Sequence, residues 1–353
     1  MIALDDCLDV IDGEYLHGFV DGGGAAVKFG VVPDEAAAAS FSKWLGVLGE
    51  EAGYAVARVD AATTRVHLLE QVFFEVARQV DWDGLAAVTA RRALEDAGYP
   101  APPENPDASL DQTASYHGVD ARELKREVDR SLQRRVYRDY SMVGEFRIAM
   151  LRLCQARLRT GQVAEAEHAA VLDWLKGDLA RISALKSALI FRKIARHNAR
   201  QMLFSLAHWL SVNDHAGLVL VLDVRRLGLA RRPSPEERQG NYYTKGALLD
   251  AYEVMRQLVD NTDELAHCFV AVIAAPELLT DHNRGLDAYQ ALKLRIFDEV
   301  RDRHRDNPFS SLLRLGPAAN RQGDPPDGAP SGPPAGPPAN SQGDLRVIGA
   351  PDA

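Results

Sequence analysis

Two short stretches of this chain lie where phosphate chemistry would be placed, and neither carries the full set of groups. A phosphate-binding loop, G-x-x-x-x-G-K-[ST], uses glycines so that backbone amides approach the phosphates. Its lysine supplies the charge and its hydroxyl serves magnesium. After the apolar run AAVKFGVV (25–32), that frame laid on residues 32–39 puts the four required positions on Val32, Ala37, Ala38 and Ala39. None of these side chains can hold a phosphate. Pro33, Asp34 and Glu35 instead bring a rigid residue and two carboxylates to the start of the next helix, where free amides and the helix dipole would otherwise attract an anion. Unit charges about 4 Å apart interact by about 4 kcal/mol at an effective dielectric of 20. The spacing therefore predicts a helix start that caps itself and opposes a triphosphate.

The second stretch is GLVLVLDV (217–224), an apolar strand ending in Asp223. In a nucleotide hydrolase such an aspartate holds magnesium through water and is followed by a glutamate that polarises the attacking water. Here the next residue is Val224. An aspartate at the end of a strand is also a common turn former, so Asp223 by itself supports at most a vestigial cofactor contact. With no phosphate lysine and no such glutamate, no catalytic residues are assigned and no cofactor is expected. The alternative, ATP with magnesium held by Asp223 and the Gly22, Gly23, Gly24 turn, rests on those residues alone. The ten histidines show no metal spacing and the three cysteines, Cys7, Cys154 and Cys268, are far apart, so no metal site or disulfide framework is predicted. No G-x-S-x-G elbow or H-E-x-x-H pair is present.

The elements that would position these residues are legible from periodicity. AAVKFGVV, AVARVDA (55–61), GLVLVLDV and CFVAVIAA (268–275) are short, near-continuous apolar runs, the pattern of strands covered on both faces of a parallel α/β sheet. Helices are predicted over 33–52, 66–80 and 247–261. Residues 119–213 differ, because apolar residues recur there at three- and four-residue spacing with charge between, which predicts a large all-helical insertion. Charge follows the same division: the net value is −13 over 1–119, +7 over 120–215 and −3 over 216–353. From Gly316 onward Pro, Gly, Ala, Ser and Asn dominate, as in a disordered tail. The expected organisation is thus 1–118 and 214–316 as two parts of one α/β domain, 119–213 as the helical insertion and 317–353 as the tail. A chain of 353 residues, 46% hydrophobic and 26% charged, has the composition of a globular protein. It lacks an apolar run long enough to cross a membrane, and its amino terminus is acidic, so a cytoplasmic location is expected.

Several of these segments together resemble one family. GGGAAVKF (22–29), AVARVDA, RHNARQMLFSLAHWL (196–210), GLVLVLD (217–223), AAPELLTDHNRGLDAYQALKLRI (274–296) and DEVRDRHRDNPFSSLLRL (298–315) occur in the order found in BREX-system ATP-binding proteins. These are P-loop, AAA-like ATPases of bacterial antiphage defence loci. The resemblance spans residues 10–315 and implies an α/β P-loop NTPase fold, an AAA-like parallel sheet carrying the helical insertion. It sets Asp223 at the magnesium aspartate, Ala274 or Ala275 near the phosphate sensor, and Arg284 or Arg314 as arginines able to reach a neighbouring subunit. Typical members have a longer segment before the first strand. Because the spacing from Lys28–Phe29 to Phe41 is kept while the loop is replaced, the resemblance implies an inactive scaffold or regulatory subunit. Its partner would be an active ATPase, a helicase or another defence component, in a hetero-oligomer. The alternatives are a working ATP-binding subunit or a DNA-contacting one. For DNA the candidates are Arg126, Arg130, Arg134 and Arg135 on one helix and Arg225 and Arg226 after Asp223, although acidic residues interleave with the first group as on an ordinary solvated helix.

Overall fold

The computed structural model describes residues 1–159, 163, 165–230, 240–297 and 307–317. Nearly all of the predicted tail lies outside these residues. Helix α1 (Leu4–Val10) continues as a π-helical segment, Ile11–Val20, and the glycine turn at 22–24 leads into β1 (Ala25–Val31). Then follow α2 (Glu35–Glu51), β2 (Ala55–Asp60) and α3 (Leu69–Arg78). The helical part comprises α4 (Trp82–Asp96), α5 (Leu110–His117), α6 (Ala121–Leu132), α7 (Gly144–Arg157), α8 (Glu165–Lys176) and α9 (Ala199–Ser211). The chain returns through β3 (Leu218–Asp223), α10 (Lys245–Asp260), β4 (Cys268–Ala274), α11 (Glu277–Thr280), α12 (Gln290–Ile296) and β5 (Leu312–Arg314).

The four predicted strands are all present, and a fifth of three residues joins them. Every strand pairing is parallel, in the order β2-β3-β4-β1-β5. Strand alternation divides the sheet's side chains between two cores. Val27, Phe29, Leu220, Leu222, Val270 and Val272 face one way, into a core shared with α3 to α10 and α12. Val219, Val221, Phe269, Ala271 and Ile273 face the other, against α1, the π-helical segment and α2. The apolar residues of the helical segment, Leu124, Val128, Phe146, Trp174 and Leu203 among them, belong to the first core, so these helices bury their stripes against the same mass as the sheet. Full burial of each such side chain contributes about 1.5–3 kcal/mol, which is why the strands read as continuous apolar runs rather than alternating ones.

α2 lies close on the sheet because glycine permits it: a Cβ on Gly49 would stand 2.9 Å from Val56 Cγ2 and 3.2 Å from Val219 Cγ2. At each sheet edge another segment takes up part of the open ladder. On β2, the Gln79 side chain acts like a strand residue, accepting from Arg58 N–H at 2.9 Å and donating to its carbonyl at 2.8 Å. On β5, Ile2 bridges Leu315 in parallel. Edge groups left open would template pairing with other chains. The buried Lys28 ammonium of β1 donates to the carbonyls of Phe309 at 2.6 Å and Ser310 at 2.9 Å and lies 4.5 Å from the centroid of the Tyr15 ring. Carbonyls and a π face together compensate a charge taken out of water, and they tie the segment before β5 to β1.

Candidate functional site

In an open α/β sheet, ligands bind beyond the carboxyl ends of the strands, where successive crossovers leave toward opposite faces. β1 and β4 are neighbours that meet this condition, since β1 leads into α2 on one face and β4 into helices on the other. β3 lies on the far side of β4 with Asp223 level with Ile273. The ends are stitched together by Val32 N–H to the Ala274 carbonyl at 3.0 Å and Val224 N–H to the Ile273 carbonyl at 2.8 Å. The positions read from the sequence as a phosphate loop and a magnesium aspartate therefore do converge in space.

The loop after β1 is filled by the protein itself. Val32, Ala37 and Ala38 are buried in the core beneath α2, while Ala39 is exposed. Replacing Ala38 by the long lysine of a phosphate loop would require that core to open. Asp34 is the N-cap of α2, and its carboxylate accepts from Ala37 N–H at 2.8 Å, taking up an amide that a phosphate would use. Glu35 projects from the first helical residue.

Arg225 closes the remaining gap between β1 and β3. Its guanidinium donates to both carboxylate oxygens of Asp223 (Nε at 3.0 Å to each, Nη2 at 2.7 Å to Oδ2) and, from the same fork, to Glu35 (Nη1 at 2.6 Å, Nη2 at 3.1 Å). The Arg225 N–H also donates to Asp223 at 3.0 Å. A planar guanidinium suits two carboxylates in this way. Hydrogen bonding to Asp223 raises the Arg225 pKa further, burial opposes this and Glu35 adds to it. The Arg225 hydrogen bond in turn holds Glu35 below the usual carboxylate range. The Asp223 and Arg225 side chains are only 21% and 23% exposed whereas Glu35 is 83% exposed, so the Asp223 arm is the stronger one. No local signal announces the Glu35 arm, which joins residues 190 positions apart.

Behind the clamp a cavity of about 10 Å³ is lined by Val224, Leu227, Tyr252, Ala274, Ala275 and Arg284 among others. That is room for about one water, where small-molecule pockets are roughly 300–1,000 Å³. Arg284 is buried, its Nε and Nη2 donating to the Leu227 carbonyl at 3.1 and 3.0 Å and Nη2 to the Tyr243 carbonyl at 2.9 Å. It faces inward and anchors the turn that carries Arg225. Arg314 is exposed at the end of β5, level with Val31. On the helical part, Arg126 and Arg134 are exposed, Arg130 pairs with Glu127 at 2.8 Å, and Arg135 pairs with Asp96, with Nη2 at 2.7 Å from Oδ1. Arg226 donates to the Asn241 carbonyl at 2.9 Å.

Among the described residues no group of three or more His, Cys, Asp or Glu is arranged to hold a metal ion, and no helix is long and apolar enough to cross a membrane. A family model described as BREX system ATP-binding protein BrxC/D matches residues 107–322, which carry β3, β4 and β5 but not the loop after β1. No curated protein and no solved structure matches the chain.

Proposed function

The chain belongs to the BREX system ATP-binding protein BrxC/D family, and from that premise we propose that it is a catalytically inactive, P-loop-type subunit serving as a scaffold or regulator in a bacterial antiphage defence complex. The observation that carries this reading is the Arg225 clamp. The aspartate that would hold magnesium is paired with an arginine of the same chain, and the same guanidinium reaches Glu35 at the helix start that would receive the phosphates. The parallel sheet supports the P-loop part of the reading, because the carboxyl ends of β1 and β3 flank that of β4. A scaffold of this kind keeps its fold while its site changes, since function resides in the grafted loops. Its partners would be an active ATPase, a helicase or another subunit of the system. Arg314, exposed at the relevant edge, is the arginine suited to reach a neighbour's nucleotide.

Titration with a fluorescent ATP analogue and magnesium tests the nucleotide half. The expected result is no saturable binding up to millimolar concentration by the native protein or by Arg225→Ala, because freeing two carboxylates supplies no cation for the phosphates. Saturable binding that Asp223→Ala abolishes overturns it. For the scaffold half, co-purification with the products of neighbouring genes should yield a stable complex, and its absence counts against that role.

A further inference from the structure

α6 does not end cleanly. Its last turn passes into a π-helical segment, Gln133–Tyr137, which changes the spacing so that Val136 stays in the core while Arg134, Tyr137 and Arg138 face solvent. π-helical turns of this kind are frequent at functional sites. Tyr137 is 49% and Tyr140 80% exposed. Arg147, from α7, lies against both rings, its guanidinium carbon 5.7 Å from the Tyr137 centroid and 4.7 Å from that of Tyr140, and its Nη1 donates to the Tyr137 carbonyl at 2.6 Å. Two exposed aromatic rings are thus held in place by a cation.

The surrounding charge has one sign to spare. Residues 134–157 carry six arginines against two carboxylates, Asp139 and Glu145; Asp139 accepts a hydrogen bond from His208 at 2.7 Å and Glu145 lies 3.8 Å from Arg192. Among the described residues Arg134 and Arg138 form no ion pair. Residues 179–213, which include α9 and Arg192, contain six Lys and Arg and no carboxylate. Arg135 and Asp139 also line a cavity of about 160 Å³ against Trp209. The Trp209 indole N–H is buried with no partner, a donor that still needs an acceptor.

We propose that this surface binds single-stranded nucleic acid, with Tyr137 and Tyr140 stacking bases, Arg134 and Arg138 holding the backbone and Arg147 fixing the rings. Rings on a basic surface are what unpaired strands use, and stacking is tolerant of sequence because every base has a π face. An acidic peptide would satisfy the charge but would leave the preorganised rings without a purpose. The inference goes beyond the proposed scaffold role and does not depend on Asp223 or Arg225, so the two can fail separately.

The test is fluorescence anisotropy of the full-length protein with a labelled oligo-dT of about 16 nucleotides, compared with a duplex of equal length across a salt series. Binding should favour the single strand and weaken steeply with salt. Tyr137→Ala with Tyr140→Ala should weaken it roughly tenfold or more, while the Phe pair retains it and Arg138→Glu lowers both affinity and salt slope. Both tyrosines are exposed, so unchanged melting temperatures should confirm that the variants fold. Three outcomes would overturn the proposal: no binding at the lowest salt, undiminished binding by the double alanine variant, or equally tight binding of a poly-glutamate probe.

Discussion

Arginines decide much of this molecule's chemistry, and their roles differ by what they face. Arg225 joins two carboxylates and Arg284 joins two backbone carbonyls, although both occur in short polar stretches that look alike in sequence. Arg256 does a third job, donating to Glu253 at 2.7 and 2.6 Å while Gln257 adds a further bond at 2.8 Å. The Arg256 hydrogen bonds, opposed by burial and helped by Tyr289 and Gln257, lower the Glu253 pKa from 4.5 to about 2. Asp96 is lowered to about 2 chiefly by its hydrogen bond to Arg135. A carboxylate with a depressed folded-state pKa adds stability that is present above its unfolded value and lost as pH falls through the folded one. Unfolding monitored by urea should therefore show stability dropping between pH 4.5 and about 2, with a shallower drop in Arg256→Ala. A pH-independent midpoint across that window would refute the assignment.

At the scale of elements, the strands were legible because burial on both faces removes polar residues from them, leaving a signal that needs no partner to be read. β1 to β4 fall within a residue or two of the predicted runs. α2, α3 and α10 lie where helical spacing puts them, with ends shifted by a few residues. β5 escaped, since three residues of an edge strand carry little pattern and are defined by pairing with β1. The π-helical continuation of α6 escaped for a related reason, because a change of helical repeat over one turn alters no residue type. The close seat of α2 on the sheet gives a prediction at this scale. Gly49→Val places side-chain atoms into Val56 and Val219, and overpacking of this kind costs about 1–3 kcal/mol. Chemical denaturation should show that loss without a change in the slope, whereas an unchanged midpoint would mean α2 can move away from the sheet without cost.

For the whole molecule, one sheet separates two apolar cores, and the three cysteines are distributed between them: Cys7 in one, Cys154 and Cys268 in the other. Burial pushes all three thiols up to about 12, so the reactive thiolate is scarce near neutral pH. A thiol reagent such as Ellman's should leave the native protein almost unlabelled and react with all three groups once guanidinium unfolds it. Rapid native labelling at Cys268, in the middle of the sheet, would contradict the fold as described.

The sequence by itself determined β1 to β4, the helices α2, α3 and α6 to α10, and the residue types at the phosphate-loop positions, because each is a property of residue type at a local spacing, whereas α1, α4 and α5 were not read from it. Its resemblance to the BREX ATP-binding family is matched by the family model over 107–322. Only the tertiary structure decided the strand order and what the degenerate loop faces. Asp34 and Asp223 read as a cap and a strand-end carboxylate in one dimension, but the guanidinium that joins Asp223 to Glu35 spans 190 residues of chain. Such a contact has no sequence period. It exists because a parallel sheet brings the carboxyl ends of β1, β4 and β3 side by side.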